Sequence, residues 1–148
     1  MESLNGFKVT KILSDFSNNK SFIIVNFYTG DNGYTQYANN LIKSLIQFKL
    51  DYFILEIHSN NKSWENICNN KPFLIQSVMN IYNKDIVWVD SDAIIEQNPL
   101  LFETIQKPFA VHFLKTELLS GTLFFKYSEI SKELIKDWII ENSNNTNK

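Results

Sequence analysis

Ile86-Val87-Trp88-Val89-Asp90-Ser91-Asp92-Ala93 carries a short apolar run straight into two acidic residues one apart. A run of β-branched and aromatic residues with no polar alternation predicts a strand covered on both faces. In an open α/β sheet, ligands bind beyond the carboxyl ends of the strands, so Asp90 and Asp92 are expected at that rim. Two carboxylates so close repel each other unless positive charge lies between them. A hard divalent cation, Mn2+ or Mg2+, supplies that charge and fills its remaining positions with water and phosphate oxygens. The same residues also suit a plain turn, because Asp and Ser favour turns and helix caps. The local pattern leaves both readings open.

Working upstream, Lys71-Pro72 opens a predicted helix with Pro in its first turn and Leu74, Val78, Ile81 and Tyr82 on the core side. Before it, Asn60 to Asn70 is a polar connection with a short helix about Trp64 and Ile67. Ser21–Tyr28 and Asp51–His58 read as buried strands. Between them, Tyr34, Tyr37, Ala38, Leu41, Ile42, Leu45 and Ile46 recur at helical spacing, so this stretch predicts a βαβ unit. Thr29-Gly30-Asp31-Asn32-Gly33 marks a turn; it lacks the third glycine of a dinucleotide fingerprint. Residues 1–20 predict a small lead-in element.

Downstream, Asn98 is the expected cap of a short helix through Pro99, Leu100, Leu101, Phe102 and Ile105. After Pro108 the pattern changes to two close strands, Phe109–Phe113 and Gly121–Lys126, bridged by Leu118-Leu119-Ser120. Ile130, Leu134, Ile135, Trp138 and Ile139 predict an amphipathic helix, and residues 142–148 a disordered Asn/Ser tail. No internal repeat or linker divides the chain, so residues 1–148 predict one α/β domain with a mostly parallel central sheet flanked by helices.

Composition narrows the partners. A net charge of -2 without a clustered basic face argues against nucleic acid. All 14 cationic side chains are Lys, so any phosphate must be met by Lys, a helix N-terminus or a metal rather than by a guanidinium fork. The single cysteine, Cys68, excludes an internal disulfide or a thiolate zinc site and reads as a packed apolar residue. There is neither a signal-peptide pattern at the start nor an apolar run long enough to span a bilayer, which places the chain in the cytoplasm by expectation.

Taken together, Lys71-Pro72-Phe73, Val87-Trp88-Val89-Asp90-Ser91-Asp92-Ala93, Pro99-Leu100-Leu101-Phe102 and Glu117-Leu118-Leu119-Ser120-Gly121-Thr122-Leu123-Phe124-Phe125 resemble the nucleotide-diphospho-sugar transferases, the GT-A glycosyltransferases. The resemblance implies a Rossmann-like fold, a nucleotide diphosphate-sugar donor and a glycan, protein or small-molecule acceptor. It makes Asp92 the metal ligand, with Asp90 on the ribose or on the metal through water, both counting as catalytic. The metal would bridge and neutralise the donor diphosphate. Tyr28-Thr29-Gly30 resembles the wall that holds the base, and Ser120-Gly121 the pair that approaches the donor sugar, where glycine permits close backbone approach.

Lys71 reads either as a point charge for the diphosphate or as a solvated residue before Pro72. His112 reads as a hydrogen-bonded core histidine before a ligand. Glu117 is the nearest acidic group for a base or sugar contact, and Trp88, although it faces as Asp90 does, reads as core. Such domains usually run longer and often take a further His ligand downstream; His58 and His112 come too early for it. A homo-oligomer is compatible with such a short site. Two other classes compete with an active transferase. One is a non-catalytic nucleotide-sugar-binding or assembly module on a degenerate GT-A fold. The other is a haloacid-dehalogenase-type phosphatase with the first Asp as nucleophile, against which the late position of the motif and Ala93-Ile94 after it argue.

Overall fold

The computed structural model describes residues 1–146. Its strands are β1 (Ser3–Leu4), β2 (Phe7–Asp15), β3 (Phe22–Thr29), β4 (Tyr52–Ile57), β5 (Asp85–Val89), β6 (Phe109–Leu114) and β7 (Glu117–Phe125). The helices are α1 (Thr35–Gln47), α2 (Trp64–Cys68), α3 (Lys71–Tyr82) and α4 (Glu129–Thr146), with a 3-10 turn over Leu100–Glu103. One sheet takes the order β1-β2-β4-β3-β5-β7-β6.

β3 is buried at every position, as an unalternating apolar strand must be when helices cover both faces. Its residues divide by parity. Ile23, Val25 and Phe27 pack with Trp88, α3 and Ile135 of α4, while Phe22, Ile24 and Tyr28 pack with Val87, Val89 and the Ala38, Leu41 and Leu45 face of α1. The helices thus lie on opposite sides of the sheet, and both strand faces are core. The predicted βαβ unit is β3-α1-β4, whose strands pair in parallel. β5 returns in parallel on the other side of β3.

The expectation of a mostly parallel sheet is not met. Only β3 with β4 and β3 with β5 are parallel among the described pairs; β1/β2, β2/β4, β5/β7 and β6/β7 are antiparallel. The lead-in segment is the reason on one side, because β2 is a nine-residue strand that runs along β4 instead of a small peripheral element. On the other side β6 and β7 form a hairpin, and short connections can join only antiparallel neighbours. Leu118, Leu119 and Ser120, expected as the bridge, belong to β7, and the chain reverses at Lys115 and Thr116.

Two smaller expectations also change. Asn98 does not cap the 3-10 turn with its side chain, and Pro99 occupies the cap position. α4 continues through Thr146, and Asn142 Nδ2 donates to the Asn69 carbonyl at 3.3 Å, so the expected tail begins as helix; residues 147 and 148 lie outside the described part. Among the described residues no helix is long and apolar enough to cross a membrane.

Candidate functional site

β3 connects forward to β4 on one side, and its other neighbour β5 arrives from α3, so the chain direction across the sheet reverses at the β3/β5 boundary. Such a switch point leaves a crevice at the carboxyl ends of the strands, because the connecting segments diverge to either side. Asp90 is the first residue past β5 at this crevice.

The turn expected from Asp90-Ser91-Asp92 is present: Ala93 N donates to the Asp90 carbonyl at 3.0 Å, across Ser91 and Asp92. The turn is also anchored on both sides. Asp90 N donates to the Gly121 carbonyl of β7 at 3.0 Å, and Ser91 Oγ donates to the Phe27 carbonyl of β3 at 3.3 Å. From beneath, buried Asn26 donates through Nδ2 to the Val89 carbonyl at 2.7 Å. Turn and ligand-holding readings are therefore compatible, since the turn presents the acidic side chains.

The two carboxylates differ. Asp90 Oδ1 accepts from the Trp88 indole Nε1 at 2.8 Å and from Lys71 Nζ at 3.1 Å. Lys71 also lies 5.2 Å from the Trp88 ring centroid, within reach of a cation–π contact. With its side chain only 12% exposed, Lys71 is not a solvated residue before Pro72; α3 carries it into the site. Asp92 is exposed and makes no hydrogen bond or ion pair among the described residues.

Asp90, Asp92, Lys71, Ser91 and Ser120 are the polar lining of a cavity of about 330 Å3, and Phe27, Tyr34, Trp64 and Trp88 are its aromatic lining. Tyr34 and Trp64 stack with centroids 5.2 Å apart and planes 14° apart. Tyr34 sits at the start of α1 and Trp64 at the start of α2, on the segments that leave the carboxyl ends of β3 and β4. Asp31 fixes the first of these segments: its carboxylate accepts from Ser59 N at 2.9 Å and Ser59 Oγ at 2.5 Å, and those bonds hold its pKa below the usual range. Cys68 also lines the cavity, and burial pushes its thiol pKa up, against use as a nucleophile.

Of the residues expected at the site, Asp90, Asp92, Lys71, Ser120 and Gly121 come together, and Tyr28, Thr29 and Gly30 do not join them. Tyr28 turns into the α1-side core and donates its hydroxyl to Glu56 Oε2 at 2.8 Å; Thr29 is buried. A Cβ on Gly30 would lie 2.7 Å from Glu56 Cδ, so that glycine makes room for Glu56 instead of a base. Glu117, at the hairpin end of β7, lines neither cavity beside the acidic pair.

The β6/β7 hairpin forms the remaining wall. Val111 pairs with Leu123, but the next residue, His112, pairs with Leu119, which leaves Ser120, Gly121 and Thr122 without partners on β6. A bulge of this kind bends a strand and re-aims its side chains. It opens a second cavity of about 340 Å3, lined by Asp90, Asp92, Ala93, His112, Gly121 and Thr122. His112 is exposed there, not a core histidine, because β6 is the sheet edge.

Sequence reasoning missed Tyr34 and Trp64 as cavity-lining residues and ranked His112 as a core residue before a ligand. Tyr34 and Trp64 had a legible signal, since both follow strand ends at the rim that holds Asp90. His112 had none, because its position depends on the bulge.

Among the described residues no group of three or more His, Cys, Asp or Glu is placed to hold a metal ion. The unpartnered Asp92 carboxylate beside Asp90 nevertheless fits a cation of the Mg2+ type, which is commonly held by one or two carboxylates with phosphate and water completing the shell.

Among solved structures, the chain is similar to a glycosyltransferase involved in the glycosylation of the major capsid of PBCV-1, with a TM-score of 0.63 at 14% identity. The match covers 82% of this chain and 66% of that one, just under two thirds of its length. At that identity the likeness establishes a shared fold. No protein-family model matches the chain, and no curated protein matches it.

Proposed function

We propose that the chain is a metal-dependent glycosyltransferase of the GT-A type that takes a nucleotide diphosphate-sugar as donor. The observation that carries this reading is one cavity lined both by aromatic rings and by charged groups, placed at the switch point of the sheet. Tyr34 and Trp64 offer a ring face to a base, and Lys71 offers a cation to a diphosphate. Trp88 and Lys71 orient Asp90 before any ligand arrives, so the site requires little rearrangement at that carboxylate. Asp92 supplies the free carboxylate for Mn2+ or Mg2+, with Asp90 beside it. When bound, the cation would neutralise the diphosphate and stabilise the departing nucleoside diphosphate. The fold shared with a solved glycosyltransferase supports the class.

Calorimetry with UDP and GDP, with and without Mn2+ or Mg2+, tests this proposal. Binding should depend on the cation and Asp92→Asn should abolish that dependence, because the amide keeps the shape and removes the charge. Equal affinity in EDTA, or wild-type behaviour of Asp92→Asn, would overturn the metal assignment.

One observation favours a second reading, a binding module without turnover. Asp90 Oδ1 is already taken by two donors, which leaves few protein oxygens for a metal. A donor-hydrolysis assay on nucleotide sugars that bind separates the two, since the module binds without releasing nucleoside diphosphate.

A further inference from the structure

His112 and Thr122 line the second cavity beside Asp92, and they also line an apolar groove of about 250 Å3 walled by Leu101, Phe102, Ile105 and Phe124. The two spaces therefore meet at those shared residues. One end offers a carboxylate, an imidazole and a hydroxyl; the other offers no polar side chain beyond the shared pair. A ligand that fills both must be polar at one end and apolar at the other.

We propose that the groove takes the alkyl chain of an amphiphilic acceptor whose hydroxyl-bearing head occupies the cavity lined by Asp92, His112 and Gly121. The proposal rests on the reading that the neighbouring Lys71 cavity holds the donor. An alkyl chain suits the groove better than a flat aromatic group. Phe124 is only 1% exposed, so its ring offers little face to a ligand, and Phe102 packs against it at 6.1 Å and edge-on against Phe22 at 5.6 Å. The most open part of the wall is the aliphatic side chain of Leu101, with Phe102 and Ile105 partly covered. Leu101 is 67% exposed at the rim, and a chain laid across it would take that surface out of water.

The probes are hexyl, octyl and decyl β-D-glucosides, each kept below its micelle threshold and titrated into the full chain by calorimetry. Affinity should rise about fourfold per added methylene, the equivalent of ~0.8 kcal/mol. Leu101→Asn, at an exposed position whose thermal melt should not change, should flatten this dependence. Leu118→Asn, in the separate apolar groove beside Trp138, should leave it intact. Affinity independent of chain length, no binding below the micelle threshold, or a dependence removed by Leu118→Asn and spared by Leu101→Asn would each overturn the proposal. UDP and GDP titrated with Mn2+ into the same sample keep the two readings apart. If the nucleotides fail to bind and the chain-length dependence holds, the donor assignment falls and the groove stands; the reverse result removes the groove alone.

Discussion

Asp90 and Asp92 should fail differently when neutralised, because Asp90 carries two donors and Asp92 none among the described residues. Asp90→Asn keeps an acceptor for the Trp88 indole but leaves the mostly buried Lys71 cation without a counter-charge. The cost should be about 1–2 kcal/mol, below that of a fully buried pair because the Asp90 carboxylate is partly in water. Asp92→Asn should stay within about 0.5 kcal/mol of wild type. Urea unfolding reads both; equal midpoints would mean that the Lys71–Asp90 pair contributes nothing. Tyr28 makes a separate prediction. Burial raises its pKa well above the ordinary value, and the Glu56 hydrogen bond and charge raise it further. The unfolded chain then releases this proton first, near the ordinary value of about 10. Tyr28 therefore contributes its full stability below that pH and loses it as pH rises toward the folded value. Gly30→Ala, whose Cβ would press on Glu56, should displace the acceptor of Tyr28, cost about 1–3 kcal/mol and shrink the alkaline loss. Unfolding measured on both sides of about pH 10 checks the sign.

Among the elements, α1 and β7 carry opposite burdens. α1 is a packing element: Ala38, Leu41 and Leu45 are fully buried, and Tyr37 and Ile46 stay exposed. Leu41→Ala should cost about 2–5 kcal/mol in thermal or urea unfolding, the usual range for a cavity left in a core. The Ser120-Gly121-Thr122 bulge in β7 instead has no partners on β6, and Gly121 and Thr122 line the cavity beside Asp90. A Cβ on Gly121 would lie 3.4 Å from Asp90 Oδ2, an ordinary contact, so Gly121→Ala should fold normally. The methyl would take its space from the second cavity. Calorimetry should then find UDP affinity unchanged and alkyl-glucoside affinity reduced; an equal loss of both would place the acceptor head elsewhere.

For the whole molecule, the proposed donor binding would be linked to stability, since a ligand that binds only the folded chain raises its apparent stability by about 2.7 kcal/mol at a hundredfold excess over its Kd. A thermal-melt screen of nucleotide sugars with Mn2+ should therefore pick out the donor, and the shift should vanish in Asp92→Asn. Much of the architecture behind this was legible in the sequence. The β3-α1-β4 unit, the helix opened by Lys71-Pro72 and the strand ending at Asp90 each follow from periodicity and from signals at segment ends, which are local properties of the chain. A strand-end rule then put Asp90 and Asp92 at the rim just past β5 without knowledge of their neighbours. The tertiary structure decided the rest. It made β2 an antiparallel neighbour of β4, drew Lys71 onto Asp90, sent Tyr28 to Glu56, brought Tyr34 and Trp64 to the cavity beside Asp90, and set His112 at the bulge. Each of these depends on which groups, distant in sequence, compete for one partner or one space, and periodicity carries no information about that competition.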